Sequence, residues 1–307
     1  MNKDTKTLLT LSVVSFILSN FSIGSLVFTL PLLFIYKRYP ERNADTACVA
    51  VMVLIIFKAL FDYSKYAENN LTYLFVLVML YIPISLMLGA VVWGKTKGVE
   101  LDKRLFLLLL APLGVFLIFV VLFVLDKDGA LLVSNNYSLM TKELLSQMMG
   151  LDSTEDIYFV VEYLVLSCIV FIAYMNILFV SYISSLFLQK DVNYFNFRIA
   201  TFKVSYKYLN VFLTLLALFI VSYVISFPMS IRLIINNATL CFASLYFVQG
   251  IAILYFKIRK AGSNMNSSRL LPLGVLFLLL PGINTFIFLA FTIIGFAENW
   301  IKIRKRD

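Results

Sequence analysis

RLIINNATLCFASLYFVQGIAILYFKIRK, residues 232 to 260, is the stretch that decides the fold. It is apolar from Leu233 to Phe256, long enough as a helix at about 1.5 Å per residue to cross a hydrocarbon core of roughly 30 Å. It then closes on a basic cluster, Lys257, Arg259 and Lys260. Polar and small residues lie inside it, which a lipid-facing helix would not select. Asn236, Thr239, Ala243, Tyr246 and Gly250 recur at spacings of three and four, so one helical stripe gathers them for packing or for lining a cavity. Gln249 falls about 100° around the axis from Gly250, off that stripe, and requires a partner on another helix.

Outward from this segment the chain keeps the same character. Of 307 residues 61% are hydrophobic and 14% charged, and the mean hydropathy is +0.92, which together describe a polytopic membrane protein. Six plain crossings are expected at about 46–62, 71–93, 105–125, 158–187, 209–227 and 233–256. The net charge of +9 does not signal nucleic acid, because the basic residues lie in short loops between apolar runs. With residue 42 inside, the inner segments hold 21 of the 26 basic residues and the outer ones only Lys58, Lys65, Lys127, Lys142 and Arg232. That asymmetry orients the chain by the positive-inside rule.

Two apolar runs are too long for one upright span. Leu8 to Tyr36 is interrupted by Ser19, Asn20, Ser22, Gly24 and Ser25, and basic residues flank both ends. Two helical pieces turning near Ser22 to Ser25 are expected there rather than a cleaved signal peptide. Leu270 to Trp300 is broken at Pro281 and Gly282, again between basic flanks, and reads as a hairpin or re-entrant pair. The expectation is therefore an all-α bundle of about 8 to 10 membrane helices, a single domain over 1–307, with both termini cytoplasmic.

Residues 126–157 form an acidic extracytoplasmic loop in which Ser138 to Gly150 reads as a short amphipathic helix suited to lidding a cavity. Ser153 and Asp156 read as a capping box for the helix that follows. The inner loop from Gln189 to Tyr208 interleaves basic and aromatic residues, as an interfacial belt does.

Intramembrane polar groups are costly and mark candidate sites. Glu162, Arg232, Asn236 and Asn237 are expected near the outer surface, with Glu162 and Arg232 able to pair. Asn176 lies deeper in the same long helix as Glu162. Gln249 and Gly250 belong to the inner end, Gly250 as a point of close helix approach. Glu298 reads as a water-exposed interfacial residue.

The function classes narrow by what is absent from the sequence. There is no histidine, so the commonest general base and metal ligand are missing. Cys48, Cys168 and Cys241 are scattered through apolar runs and read as small hydrophobes rather than as a disulfide or metal set. No metalloprotease, nucleophile-elbow, P-loop or dinucleotide motif occurs. Neither enzymatic activity nor a cofactor is expected.

VQGIAILYFKIRKAG, from Val248 to Gly262, and IIGFAENWIKIRKR, from Ile293 to Arg306, resemble the YybS-like family of bacterial multi-pass membrane proteins. TLPLLFIYKRYPERNADTACVAV, from Thr29 to Val51, resembles that family's early proline-containing segment and basic turn, and the placement of Asn176 late in a long helix is similar. The chain departs from the family's pattern at Glu298-Asn299, where an aspartate is expected, and at Tyr39-Pro40, where glycine is. The resemblance implies a bacterial cytoplasmic membrane protein with an architecture similar to the S components of energy-coupling factor transporters, which capture small solutes from outside. It implies as partners the lipid bilayer, a small molecule and a second membrane subunit. Solute binding or transport, with Glu162, Asn176, Asn236 and Asn237 lining an outward cavity, is the leading expectation. The alternative is a non-transporting scaffold or regulator that recruits partners through its basic inner loops and tail.

Overall fold

A computed structural model describes residues 3–21, 24–66, 73–135, 155–188, 200–225, 227–260, 283–301 and 303–304. No strand occurs among them. The helices are α1 (Lys3–Ser19), α2 (Gly24–Val27), α3 (Leu30–Arg38), α4 (Glu41–Tyr66), α5 (Tyr73–Lys95), α6 (Leu101–Leu125), α7 (Glu155–Leu188), α8 (Tyr206–Val224), α9 (Met229–Lys260) and α10 (Ile283–Ala297). A shorter helix over 127–135 follows α6, and the Asp126 carboxylate accepts the Gly129 N–H at 2.9 Å as its cap.

Six of these helices, α4 to α9, are long and apolar enough to cross a bilayer. They coincide with the six crossings read from hydropathy, and the chain is a multi-pass membrane protein on that ground. The first apolar run breaks as its serines and glycine dictate. The Ser15 hydroxyl donates to the Phe28 carbonyl at 2.5 Å, tying α1 to the turn before α3. A nine-residue α3 extends only about 13 Å, too short to span alone. The expected amphipathic helix at 138–150, the Ser153–Asp156 cap and the first half of the 270–300 run lie outside the described residues.

Burial identifies the centre of the bundle. Within its most apolar stretch α9 is 72% buried, against 17% for α8 and 28% for α4. This explains why its sequence tolerates polar side chains: they meet other helices rather than lipid. The expected stripe is real and entirely buried. Tyr246 packs on Phe212 of α8 and Phe296 of α10, with ring centroids 4.9 and 5.5 Å apart. Further along the same face a Cβ at Gly250 would overlap the Phe291 carbonyl of α10, and one at Gly295 would overlap the Tyr246 carbonyl. Two glycines facing each other thus bring the α9 and α10 backbones together, the close approach that small residues permit.

Candidate functional site

The opposite ends of α9 carry two polar nodes of different kinds. At the first, one helical turn separates Arg232 from Asn236, so both project on one side. Asn236 is only 3% exposed. Its Nδ2 shares two N–H donors among three oxygens, Tyr163 Oη at 3.0 Å and Ser167 Oγ at 3.2 Å on α7 and Tyr223 Oη at 3.2 Å on α8. The two phenol oxygens lie 3.3 Å apart. The Arg232 guanidinium sits 5.9 Å from the Tyr163 ring centroid, within cation–π range. Among the described residues this node is incomplete, because Asn236 Oδ1 and Arg232 Nε are buried without hydrogen-bond partners. An unpaired buried polar atom costs about 1–3 kcal/mol, a penalty that a bound hydrogen-bonding group would relieve.

Asn237 is fully occupied. Its Oδ1 accepts the Val170 N–H at 3.0 Å, while its Nδ2 donates to the carbonyls of Leu166 at 2.8 Å and Leu233 at 2.9 Å. Val170 and Leu166 are i and i−4 partners of α7, so the amide is inserted into that helix's own ladder. Asn237 therefore fastens α9 to α7 and leaves no group free for a solute. Asn176 is not brought to the node either: it lies thirteen residues beyond Tyr163 on α7, about 20 Å along the axis. Its Oδ1 is buried and, among the described residues, unpartnered, as is Tyr246 Oη of the α9 stripe. The Glu162 side chain lies outside the described residues, and with it the expected Glu162–Arg232 pair. Tyr163, Ser167 and Tyr223 were not singled out by sequence, since a hydroxyl within an apolar span carries no sign of what it faces.

The second node, at the Lys260 end, is complete. Gln249 is wholly buried and finds the partners its off-stripe position requires. Its Oε1 accepts the Val204 N–H at 2.7 Å, and its Nε2 donates to the Gly295 carbonyl at 3.0 Å and to Glu298 Oε2 at 2.9 Å. Glu298 is 5% exposed, which corrects the expectation of a water-facing residue. The reason is Arg304: Nε to Glu298 Oε1 is 2.6 Å and the terminal nitrogen to Oε2 is 2.5 Å, a bidentate pair. The other guanidinium nitrogen donates to the Ala200 carbonyl at 2.8 Å. One cluster thus clamps α9, α10, the chain after α10 and the segment entering α8.

Further polar contacts gather at this same end. Tyr36 Oη donates to Asp45 Oδ1 at 2.5 Å, Lys95 pairs with Asp45 at 2.9 Å, and Lys97 donates to the Tyr36 carbonyl. Arg104 donates to the Trp93 carbonyl at 2.5 Å and lies 3.2 Å over the Trp93 ring. Glu100 to Asp102 and Thr201 to Lys203 face each other across an open groove of about 320 Å³. Lys103 beside Glu100 holds its carboxyl below the usual carboxylate range. Among the described residues no group of histidine, cysteine and carboxylate side chains could hold a metal ion. Cys48 and Cys241 are buried free thiols, and Cys168 is half-buried and free.

Asn236, Arg232, Tyr163, Ser167 and Tyr223 make up the candidate binding node, and the Gln249–Glu298–Arg304 cluster is a closed structural clamp. Comparison of the chain with family models, with curated proteins and with solved structures finds no match.

Proposed function

We propose that the chain is a solute-binding or transport protein of the bacterial cytoplasmic membrane, taking a small molecule from outside at the Arg232 end of α9. In this reading both termini are cytoplasmic and the bundle has eight to ten membrane helices, with 8–36 and 270–300 each either spanning twice or entering as a re-entrant pair. Charge asymmetry supports the orientation, since the end holding Lys95, Lys97, Arg104 and Arg304 is the basic one. The YybS-like resemblance supports the same assignment.

The observation that carries the proposal is the pairing state of the two nodes. The Asn236 node leaves a deeply buried amide oxygen unsatisfied, while the Gln249 node satisfies every hydrogen-bonding group of its amide. A site that takes solute from one side fits that combination: buried polar groups left to pair at one end of α9 and a fully paired contact at the other. The scaffold alternative draws on the basic tail, and Arg304 of that tail is committed within the fold. An unbiased metabolite screen by thermal shift on the purified full chain tests the proposal. At least one solute should stabilise the wild type and fail to stabilise Asn236→Leu. A complete screen with no stabilising solute refutes it.

A further inference from the structure

We infer that the Asn236 node takes a zwitterion, with an anionic group at Arg232 and a primary ammonium at the Asn236 carbonyl oxygen. This rests on the proposed binding reading and names the ligand chemistry of that site. The inference follows from what each simpler ligand leaves undone. A plain anion pairs with the Arg232 guanidinium, whose Nε is buried and unpartnered, but leaves Asn236 Oδ1 unsatisfied. A plain cation satisfies Oδ1 but meets Arg232 at close range as a like charge. A ligand carrying both an acceptor anion and a hydrogen-bond donor completes both groups among the described residues, and a donor that is an ammonium gains in addition the attraction of the Tyr163 ring, which already faces a cation.

The surrounding residues fit that chemistry. Asn236 Nδ2 is already held by Tyr163, Ser167 and Tyr223, so the amide oxygen is the end of the side chain left for a ligand. The Tyr163 and Tyr223 hydroxyls flank the node, and the Tyr163 ring turns its face toward the Arg232 guanidinium, 5.9 Å away. Tyr223 is 52% exposed, so the node borders the outer surface of α8 rather than the centre of the bundle. Two sources present this chemistry at a membrane surface: a free amino acid, and the headgroup of phosphatidylethanolamine. A quaternary ammonium such as that of phosphatidylcholine has no N–H and cannot satisfy the amide oxygen.

The test uses the full chain purified in detergent and read by thermal unfolding. One arm adds the common L-amino acids singly, with propionate and propylamine as half-ligands. The other compares bilayers of phosphatidylethanolamine with bilayers of phosphatidylcholine. A free-solute source predicts stabilisation by at least one amino acid and by neither half-ligand. A lipid source predicts stabilisation by phosphatidylethanolamine over phosphatidylcholine. In either case Arg232→Gln weakens the effect about tenfold or more, Asn236→Leu abolishes it, and Asn236→Asp, which keeps an acceptor oxygen, retains it. The inference is overturned if neither source stabilises the wild type, or if propionate alone does as well as an amino acid. A stabilising solute without an ammonium group, found in the metabolite screen, sinks the zwitterion and leaves the binding proposal standing. A screen without any hit, together with equal stability in the two kinds of bilayer, sinks both, whereas preference for phosphatidylethanolamine alone keeps the zwitterion and replaces the free solute by a lipid.

Discussion

Glu298→Ala should cost more than Glu298 and Arg304 removed together. In the native chain the two side chains are 5% and 10% exposed and joined by two short charge-assisted bonds, 2.6 and 2.5 Å. Removing the carboxylate strands a guanidinium that keeps only the Ala200 carbonyl as a described partner. Breaking a buried pair from one side costs about 3–5 kcal/mol, because the charge left behind is desolvated and uncompensated. Gln249 softens the loss slightly, since its Nε2 still reaches the Gly295 carbonyl at 3.0 Å. In Glu298→Leu/Arg304→Leu no charge is stranded, and that double variant should recover about 2 kcal/mol or more relative to the worse single. The assay is thermal unfolding in detergent followed by tryptophan fluorescence, with Trp300 as a local reporter through its edge contact with Phe296 at 4.8 Å. Equal and additive losses in the two singles and the double would mean that the pair is not a buried unit, and the clamp would have to be abandoned.

Gly250→Ala and Gly295→Ala should each push α9 and α10 apart, at about 1–3 kcal/mol apiece, because each new Cβ meets a backbone carbonyl. Since one separation relieves both overlaps, the double variant should lose clearly less than the sum, and simple additivity in unfolding measurements would count against the facing-glycine contact. Asn237→Leu and Gln249→Leu make a second comparison. The Val170 N–H and Leu166 carbonyl freed in the first can close on each other within α7, so the loss should be about 1 kcal/mol. The Val204 N–H freed in the second precedes α8 and has no helical partner to return to, so that variant should be the less stable of the two. The reverse order of melting temperatures would contradict it.

Much of the bundle is legible in the sequence because lipid imposes a length and an apolarity on every span, and the six long helices fall where hydropathy places them. The importance of the 232–260 segment is legible for the converse reason: Asn236, Asn237 and Gln249 can be tolerated only where other helices cover them. Which of these residues converge is not legible. Asn237 and Asn236 are neighbours in sequence, yet one is absorbed into the ladder of α7 and the other is left with a free oxygen. The Asn176 placement follows from helical rise, but the conclusion needs Tyr163, and nothing in an apolar span marks one tyrosine over another. Glu298 reads as exposed because a carboxylate beside a basic tail ordinarily faces water. Its burial depends on Arg304 six residues on and on Ala200, a hundred residues away.

The central position of α9 also bears on how the chain enters the membrane. Of the six spans α9 has the lowest hydropathy and the greatest burial, so it is the poorest candidate to partition into lipid alone. Its glycine face and its Gln249 amide nitrogen are completed by α10 and by the segment after it, all synthesised later, while the Gln249 oxygen has the earlier Val204 N–H. Insertion of α9 is therefore favoured as a unit with α10, and a nascent chain arrested between them presents an unsatisfied amide and a backbone groove to the bilayer.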